Sequence, residues 1–115
     1  MTTPPRFQLR LLLDDATAFG PGKADLLEGI RDTGSISGAG RRMRMSYRRA
    51  WQLVDELNRD FNAPLVETLT GGKGGGGTQL TPLGLDVLER YRRIEAACAS
   101  AMAKDIEALR RHRTR

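Results

Sequence analysis

The 115-residue sequence predicts a mainly α-helical domain with a β-hairpin wing, a winged helix-turn-helix, which continues into a long C-terminal helix. Three observations predict this fold class. Apolar residues recur at helical spacing in three short segments before residue 62. Two strand-like runs then flank a glycine-rich turn. From Pro82 to about Arg111, no residue interrupts the last helical pattern.

The N-terminal segment predicts a short antiparallel strand pair. From Phe7 to Leu13 the apolar residues occupy every second position, which is the period of a half-buried strand. Asp14-Asp15 is a turn candidate, and residues 16–19 would return as the second strand. A break at residues 20–22 precedes the first helix, and Gly34 is expected in the left-handed conformation that ends helices.

Residues 34–57 have the spacing of a helix-turn-helix. Ser35 suits the N-cap of one helix and Ser46 the N-cap of the next, with Arg44-Met45 as the turn between them. The small residues Ala39 and Gly40 would let the two helices cross closely. The apolar positions of the second helix follow at steps of three and four: Tyr47, Ala50, Trp51, Val54, Leu57 and Phe61.

The hairpin and the last helix complete the predicted order. Residues 65–70 and 78–80 predict strands around the turn at 71–77, which holds six glycines and Lys73. Thr81 as N-cap and Pro82 at the first helical position begin the long helix. It would extend ~45 Å at 1.5 Å per residue, more than one small domain requires. The chain therefore divides into a domain over residues 1–80 and a long helix with a basic tail over residues 81–115.

The charge balance favours a nucleic-acid partner over a membrane. Nineteen basic residues stand against fourteen acidic ones, and only Lys23, Lys73 and Lys104 are lysines. The remaining basic residues are arginines, whose planar guanidinium groups bind phosphates and guanine edges through two hydrogen bonds. The alternative is a basic surface that only keeps the protein soluble. No apolar stretch approaches the ~20 residues of a membrane-spanning helix, and the N-terminus does not resemble a signal peptide.

The composition also argues against catalysis, so we do not expect an enzyme. Cys98 is the only cysteine and His112, in the charged tail, is the only histidine. Neither a catalytic triad nor a cysteine-based zinc site can be assembled from them. We expect no metal site, no cofactor and no catalytic residue.

Most candidate DNA-binding residues lie in the two predicted helices of the helix-turn-helix and in the turn that joins them. Five arginines fall within nine residues, and no acidic residue occurs between Gly34 and Val54. Arg48 and Arg49 lie in the first turn of their helix, where a cation opposes the helix dipole by typically ~0.3–1 kcal/mol. A local cost of that kind indicates function, although a solvated basic face is the alternative. The candidates are Ser35, Ser37, Arg41, Arg42, Arg44, Ser46, Tyr47, Arg48, Arg49, Gln52 and Lys73.

Two features of this set leave alternatives open. Tyr47 and Trp51 lie on the apolar side of their helix, which favours the core over a platform for base stacking. The glycine-rich turn follows a strand and precedes a strand, so it fits neither a dinucleotide-binding loop nor a P-loop. A wing whose Lys73 reaches a phosphate or the minor groove fits better, and the alternative is a hairpin that makes no contact.

The long helix carries an apolar stripe that predicts a partner helix. The alternative is packing against its own domain, which fits Leu83 to Leu88 best. Cys98 lies within the stripe as a small apolar residue. The candidate dimer-interface residues are Val87, Tyr91, Ile94, Cys98, Ala101, Met102 and Ile106.

The blocks GSISGAGRRMRMSYRRAW and TGGKGGGGTQLTPLG resemble the N-terminal DNA-binding domain of ModE-type molybdate-responsive regulators and, more loosely, LysR-type regulators. The resemblance implies a winged helix-turn-helix that dimerises through its long C-terminal helix and binds a palindromic operator. It also implies that the recognition helix starts at Ser46–Arg49 and that residues 71–77 are the wing. Longer members carry an oxyanion-binding domain after that helix. We expect no molybdate pocket within these residues.

The sequence therefore predicts a homodimeric, sequence-specific transcription regulator of the prokaryotic cytoplasm, associated with the nucleoid. Its partner would be double-stranded DNA with an inverted repeat. Two alternatives remain: a small protein-interaction module that works through the long helix, and a molybdate-binding protein.

Overall fold

Three helices, a hairpin and a long fourth helix follow one another in the predicted order. The computed structural model describes residues 6–72 and 75–114, and it describes side chains outside residues 70–76. The helices are α1 (Pro21–Thr33), α2 (Ile36–Arg42), α3 (Tyr47–Asp60) and α4 (Pro82–His112). The strands are β1 (Leu11–Leu12), β2 (Ala18–Phe19), β3 (Val66–Gly72) and β4 (Gly75–Leu80). The predicted fold class is confirmed.

The predicted helix ends are confirmed by their hydrogen bonds. Gly34 has a φ of 74°, and its N–H donates to the carbonyl of Ile30 at 2.8 Å, which ends α1. The Ser35 hydroxyl accepts from the Gly38 N–H at 2.8 Å, and the Ser46 hydroxyl accepts from the Arg49 N–H at 3.1 Å. These two serines satisfy amide groups that have no partner within α2 and α3.

The N-terminal strand is shorter than predicted. Only Leu11 and Leu12 pair with β2 (Leu11 with Phe19, Leu12 with Ala18), and the returning strand predicted over residues 16–19 is shortened to Ala18–Phe19 because residues 16 and 17 belong to the turn. The predicted turn is present, since the Asp14 carboxylate accepts from the N–H groups of Ala16 and Thr17 at 2.9 and 2.7 Å. These hydrogen bonds hold the pKa of Asp14 below its ordinary value.

The hairpin extends further into the glycine-rich run than predicted. β3 and β4 are antiparallel from Val66–Leu80 to Gly72–Gly75, with a register shift between Leu69 and Gly72. The expectation that all of residues 71–77 form the turn is therefore wrong. The hydrogen bonds between paired strands join backbone groups, so glycines, which have no side chain, can continue the pairing. Lys73 lies outside the described residues.

Small residues bring the first three helices close together, as the sequence predicts. A Cβ placed on Gly29 of α1 would lie 2.9 Å from the Cβ of Ala39 on α2. A Cβ on Gly40 would lie 3.3 Å from the Cβ of Ala50 on α3. The core around these crossings is formed by large side chains that are at most 2% exposed: Phe19, Leu26, Leu27, Ile30, Leu57, Leu65, Leu88 and Tyr91.

The start of the hairpin and the start of α4 are both held by the backbone of Leu65. The Leu65 N–H donates to the side-chain oxygen of Asn58 on α3 at 2.9 Å, and its carbonyl accepts from the Thr81 N–H at 2.9 Å. Thr81 then caps α4 by accepting from the Gly84 N–H at 3.0 Å. Gly84 packs directly on the Leu65 carbonyl group. α4 has 31 residues, and none of the helices in the described part is long and apolar enough to cross a membrane.

Replacing Gly84 with alanine should lower the free energy of unfolding by ~2–3 kcal/mol, because overpacking against rigid backbone is costly. The new Cβ would overlap the Leu65 carbonyl oxygen and lie 2.9 Å from the carbonyl carbon. Urea unfolding monitored by circular dichroism measures this. Gly22→Ala in α1 is the control, since nothing lies within 4 Å of its Cβ. The control should be neutral or more stable by up to ~1 kcal/mol. A Gly84→Ala protein as stable as the wild type would contradict the close contact.

Candidate nucleic-acid interface and the C-terminal helix

The end of α2, the following turn and the start of α3 form one basic surface. All five of its arginines are exposed, and so are the side chains of Ser46 and Gln52. Four of the five have no carboxylate within 4.0 Å among the described residues, the exception being Arg42. We call this the arginine surface and define it by Arg41, Arg42, Arg44, Arg48 and Arg49.

Arg42 differs from its neighbours because it is paired in the free protein. Its guanidinium donates to the Asp32 carboxylate at 3.0 Å, and Arg31 donates to the same carboxylate at 3.1 Å. The hydrogen bonds from Arg42 and Arg31 hold the pKa of Asp32 below its ordinary value. An anionic ligand would have to compete with Asp32 for Arg42.

Arg48 and Arg49 occupy the second and third positions of α3 and point to different sides of it. Arg48 lies one helical turn before Gln52, and both are exposed. Arg49 instead lines a cleft of about 560 Å³ together with Arg10 and Glu56. The first turn of α3 contains no acidic residue. The two cations therefore remain uncompensated at the positive end of the helix dipole, as the sequence predicts.

The backbone of Arg44 has a conformation that is unfavourable for residues with a side chain. Its φ is 56°, and it is the only non-glycine residue with positive φ in the described part of the chain. The turn is held by the Arg44 N–H, which donates to Arg41 at 3.1 Å, and by the Met45 N–H, which donates to Gly40 at 3.0 Å. A side chain in this region costs roughly 1–2 kcal/mol, which glycine would avoid. An arginine kept at such a cost points to a functional role.

The expectation that Tyr47 and Trp51 belong to the core is wrong. Tyr47 is 56% exposed and Trp51 is 49% exposed. The buried stripe of α3 is complete without them and consists of Ala50, Leu53, Val54 and Leu57. Trp51 lines an open groove of about 650 Å³ beside the start of β3. The signal in the sequence was the angular position of the two rings, which lie to one side of that four-residue stripe.

The candidate serines are engaged within the helix-turn-helix. Ser35 and Ser46 cap α2 and α3 as described above, and the Ser37 hydroxyl accepts from the Arg41 guanidinium at 3.5 Å. Ser35 and Ser37 are half-buried, whereas Ser46 is exposed beside Tyr47. All candidates for DNA contact except Lys73, which the described residues do not include, therefore lie on α2, on α3 or in the segments that cap and join them.

The base of the hairpin is hydrogen-bonded to two other parts of the domain. The Thr78 N–H donates to the Gly34 carbonyl at 2.9 Å, at the turn that precedes α2. On the other side, the Asn58 amide of α3 accepts from the Val66 N–H at 3.0 Å and donates to the Val66 carbonyl at 3.1 Å. The base of the hairpin is therefore held by the turn between α1 and α2 on one side and by the C-terminal half of α3 on the other.

The candidate dimer residues on α4 fall into two groups. Tyr91 is only 2% exposed and packs its ring 5.1 Å from that of Phe19, so its assignment to the dimer interface is corrected: it belongs to the core. Val87 is half-buried against the same core. Val87 and Tyr91 have the same helical spacing along the chain as the other candidates of the apolar stripe on α4. The other five are exposed or half-buried: Ile94, Cys98, Ala101, Met102 and Ile106. No cluster of three or more metal-ligating side chains occurs in the described residues.

Comparison with known proteins identifies the family that this chain resembles. Residues 24–85 match the model of the bacterial regulatory helix-turn-helix proteins of the lysR family. The molybdenum transport protein ModE of Azotobacter vinelandii is 38% identical over 109 residues, which are 93% of this chain and 40% of that protein. The DNA-binding transcriptional dual regulator ModE of Escherichia coli K12 is 39% identical over 83 residues, 72% of this chain and 32% of that protein. The chain therefore spans less than half the length of these relatives.

A solved structure shares the fold. The DNA-binding domain of CbnR, crystallised as a complex with DNA, superposes with a TM-score of 0.59 at 21% identity. The superposition covers 76% of this chain and 94% of that chain. The resemblance to ModE-type and LysR-type regulators that the sequence suggests is confirmed.

Replacing Arg44 with glycine should raise the free energy of unfolding by ~0.5–1 kcal/mol, because glycine adopts positive φ without strain but loses more backbone entropy on folding. Thermal and urea unfolding measure it. Arg44→Ala is the matched control, since it removes the same side chain and keeps the strain. If the glycine variant is no more stable than the alanine variant, Arg44 does not strain the turn.

Proposed function

The chain belongs to the lysR family of bacterial regulatory helix-turn-helix proteins, and we propose that it binds double-stranded DNA as a transcription regulator of the bacterial cytoplasm. The observation that carries the proposal is the arginine surface. Four exposed guanidinium groups without carboxylate partners among the described residues converge at the start of α3. In helix-turn-helix proteins this end of the second helix meets base edges in the major groove.

The geometry suggests a division of work within that surface. Arg48 and Gln52, one turn apart on the outward side of α3, are suited to base edges. Arg41 and Arg44, at the end of α2 and in the turn, are suited to phosphates, which they would contact without reading sequence. Trp51 and Tyr47 add two exposed rings on one side of α3, where a thymine methyl group would find an apolar partner.

The proposal is tested by titrating a fluorescent pool of random-sequence duplexes at two salt concentrations. Each phosphate neutralised by a cation contributes about −0.9 to the slope of log K against log salt, so affinity should fall steeply as salt rises. Selection from that pool then yields the preferred duplex. Affinity that is absent even at low salt would refute DNA binding and favour the alternative of a protein-interaction module working through α4.

Replacing Arg48 and Arg49 with alanine should lower affinity for the selected duplex at least ~5-fold, since the base contact proposed for Arg48 is worth ~1–3 kcal/mol and the lost charge of Arg49 weakens binding further. Arg59→Ala with Arg93→Ala is the matched control. It removes the same charge from exposed positions on α3 and α4 that lie far from the start of α3. Fluorescence anisotropy measures both variants. Equal losses in the two would mean that only total charge matters and that α3 does not read bases.

We further propose that α4 pairs with α4 of a second copy. Ile94 is 39% exposed and Leu109 is 70% exposed, although both are large and apolar. Cys98, Met102 and Ile106 lie between them at helical spacing and are half-buried. Pairing would remove this stripe from water and hold two copies of α3 in a symmetric arrangement. Such a dimer prefers an inverted repeat with half-sites ~34 Å apart or a multiple of that distance.

Ile94→Asp together with Met102→Asp should convert the dimer to a monomer, because an unpaired buried charge is strongly unfavourable. The monomer should keep weak, salt-sensitive affinity for any duplex and lose its preference for the repeat. Ala96→Asp with Ser100→Asp adds the same charge on the opposite, exposed side of α4 and should remain dimeric. Light scattering decides the mass of each. A wild-type monomer at tens of micromolar, or a dimeric Ile94/Met102 variant, would refute pairing through this stripe.

A further inference from the structure

Arg92 joins α4 to α1 where α4 leaves the domain. Its guanidinium donates to Asp25 at 2.8 Å and to Glu28 at 3.2 Å, both on α1, and to Glu95 on α4 at 2.9 Å. The Arg92 side chain is 31% exposed, so this cluster is partly shielded from solvent. Partial burial alone would lower the pKa of Arg92, but the hydrogen bonds with Asp25 and Glu95 raise it above its ordinary value. A planar guanidinium can bind several carboxylates at once in a fixed geometry, which an ammonium group does not do.

Tyr91, the preceding residue, joins α4 to the N-terminal segment. Its hydroxyl donates to the Leu9 carbonyl at 2.6 Å, and its ring meets Phe19 edge to face. The Arg92 guanidinium lies 5.9 Å from the centre of the Tyr91 ring. Two consecutive side chains of α4 therefore hold it to two different parts of the domain.

Beyond Glu95 the helix carries no buried residue. Residues 96–112 are all exposed or half-buried, and at 1.5 Å per residue they form a rod of ~25 Å. A tilt of about 10° at Arg92 would displace the far end of such a rod by ~4 Å. That displacement exceeds the ~3.4 Å between successive base pairs. A small change of angle at Arg92 therefore moves the far end of α4 by more than one base-pair step.

We propose that Arg92 is a positioning residue that sets the angle between α4 and the DNA-binding domain, and with it the half-site spacing that the dimer accepts. This inference rests on the proposed function, since it assumes a dimer on an inverted repeat. Arg92 lies on α4 beside α1, and its three carboxylate partners on α1 and α4 lie outside the arginine surface. Its removal should therefore change the choice of spacing and leave the recognition of one half-site intact.

The test uses the full chain and inverted repeats of the selected half-site, with the spacing changed one base pair at a time. The wild-type dimer should prefer one spacing by about tenfold or more, because rigid dimers read half-site separation as geometry. In Arg92→Leu this preference should shrink below about threefold, while affinity for a single half-site and the dimer mass stay unchanged. Arg92→Lys, which keeps the charge without the planar geometry, should fall between the two.

Two controls separate positioning from general stability. Arg90→Leu removes an arginine from the same helix, but Arg90 pairs with Asp86 at 2.9 Å within α4 and not with α1. It should keep the wild-type spacing preference. Asp25→Asn with Glu28→Gln removes the α1 partners without changing α4 and should reproduce the effect of Arg92→Leu.

The outcomes distinguish the inference from the proposed function. An Arg92→Leu dimer that retains the wild-type spacing preference overturns the role of Arg92 alone. Loss of half-site affinity in both Arg92→Leu and the Asp25/Glu28 variant also overturns it, because the cluster would then maintain the domain itself. A wild-type protein with no spacing preference refutes the rigid DNA-bound dimer, and this inference with it, whatever the variants do.

Discussion

The peptide groups around Leu65 are held from both sides by the two helices that flank the hairpin. Asn58 of α3 accepts from the Leu65 N–H, and the Thr81 N–H at the start of α4 donates to the Leu65 carbonyl. Gly84 allows α4 to pass directly over that carbonyl, where any side chain would collide. Because α3, the hairpin and α4 all meet at this residue, it determines where α4 starts relative to α3, while Arg92 further along α4 is proposed to set the angle of that helix. The proposed DNA contacts and the proposed dimer helix depend on it together.

Charge is distributed unevenly between the arginine surface and the contacts that join the helices. Where helices are joined, cations are paired with acids: Lys23 with Asp60 at 3.2 Å and Arg92 with three carboxylates. On the arginine surface the guanidinium groups lack such partners among the described residues, Arg42 excepted, and two of them oppose the dipole of α3. Arg44 adds a strained backbone conformation. These local costs are concentrated at one site, as expected where binding rather than stability determines the residues.

The features that the sequence predicted well depend on neighbours along the chain. The caps at Ser35, Ser46 and Thr81 and the left-handed Gly34 each involve atoms no more than four residues apart. The helical period of α3 and α4 and the position of the arginines within the first turn of α3 are equally local. For that reason the helix-turn-helix, the long last helix and the arginine surface could be located from the order of residues alone.

The tertiary structure alone decided which side of each helix faces the core. Tyr47 and Trp51 share the spacing of buried residues but lie to one side of the stripe of α3 that is buried, so they remain exposed. Tyr91 shares the spacing of the α4 stripe but is buried in the core. There its ring packs against Phe19, and its hydroxyl donates to the Leu9 carbonyl, 82 positions away in the sequence. The sequence by itself determined the elements, the ends of the helices and the charge of the site, because short-range geometry and composition control them. Which segment packs against each apolar face depended on parts of the chain that are distant in the sequence. The periodicity of apolar residues does not specify where those parts lie.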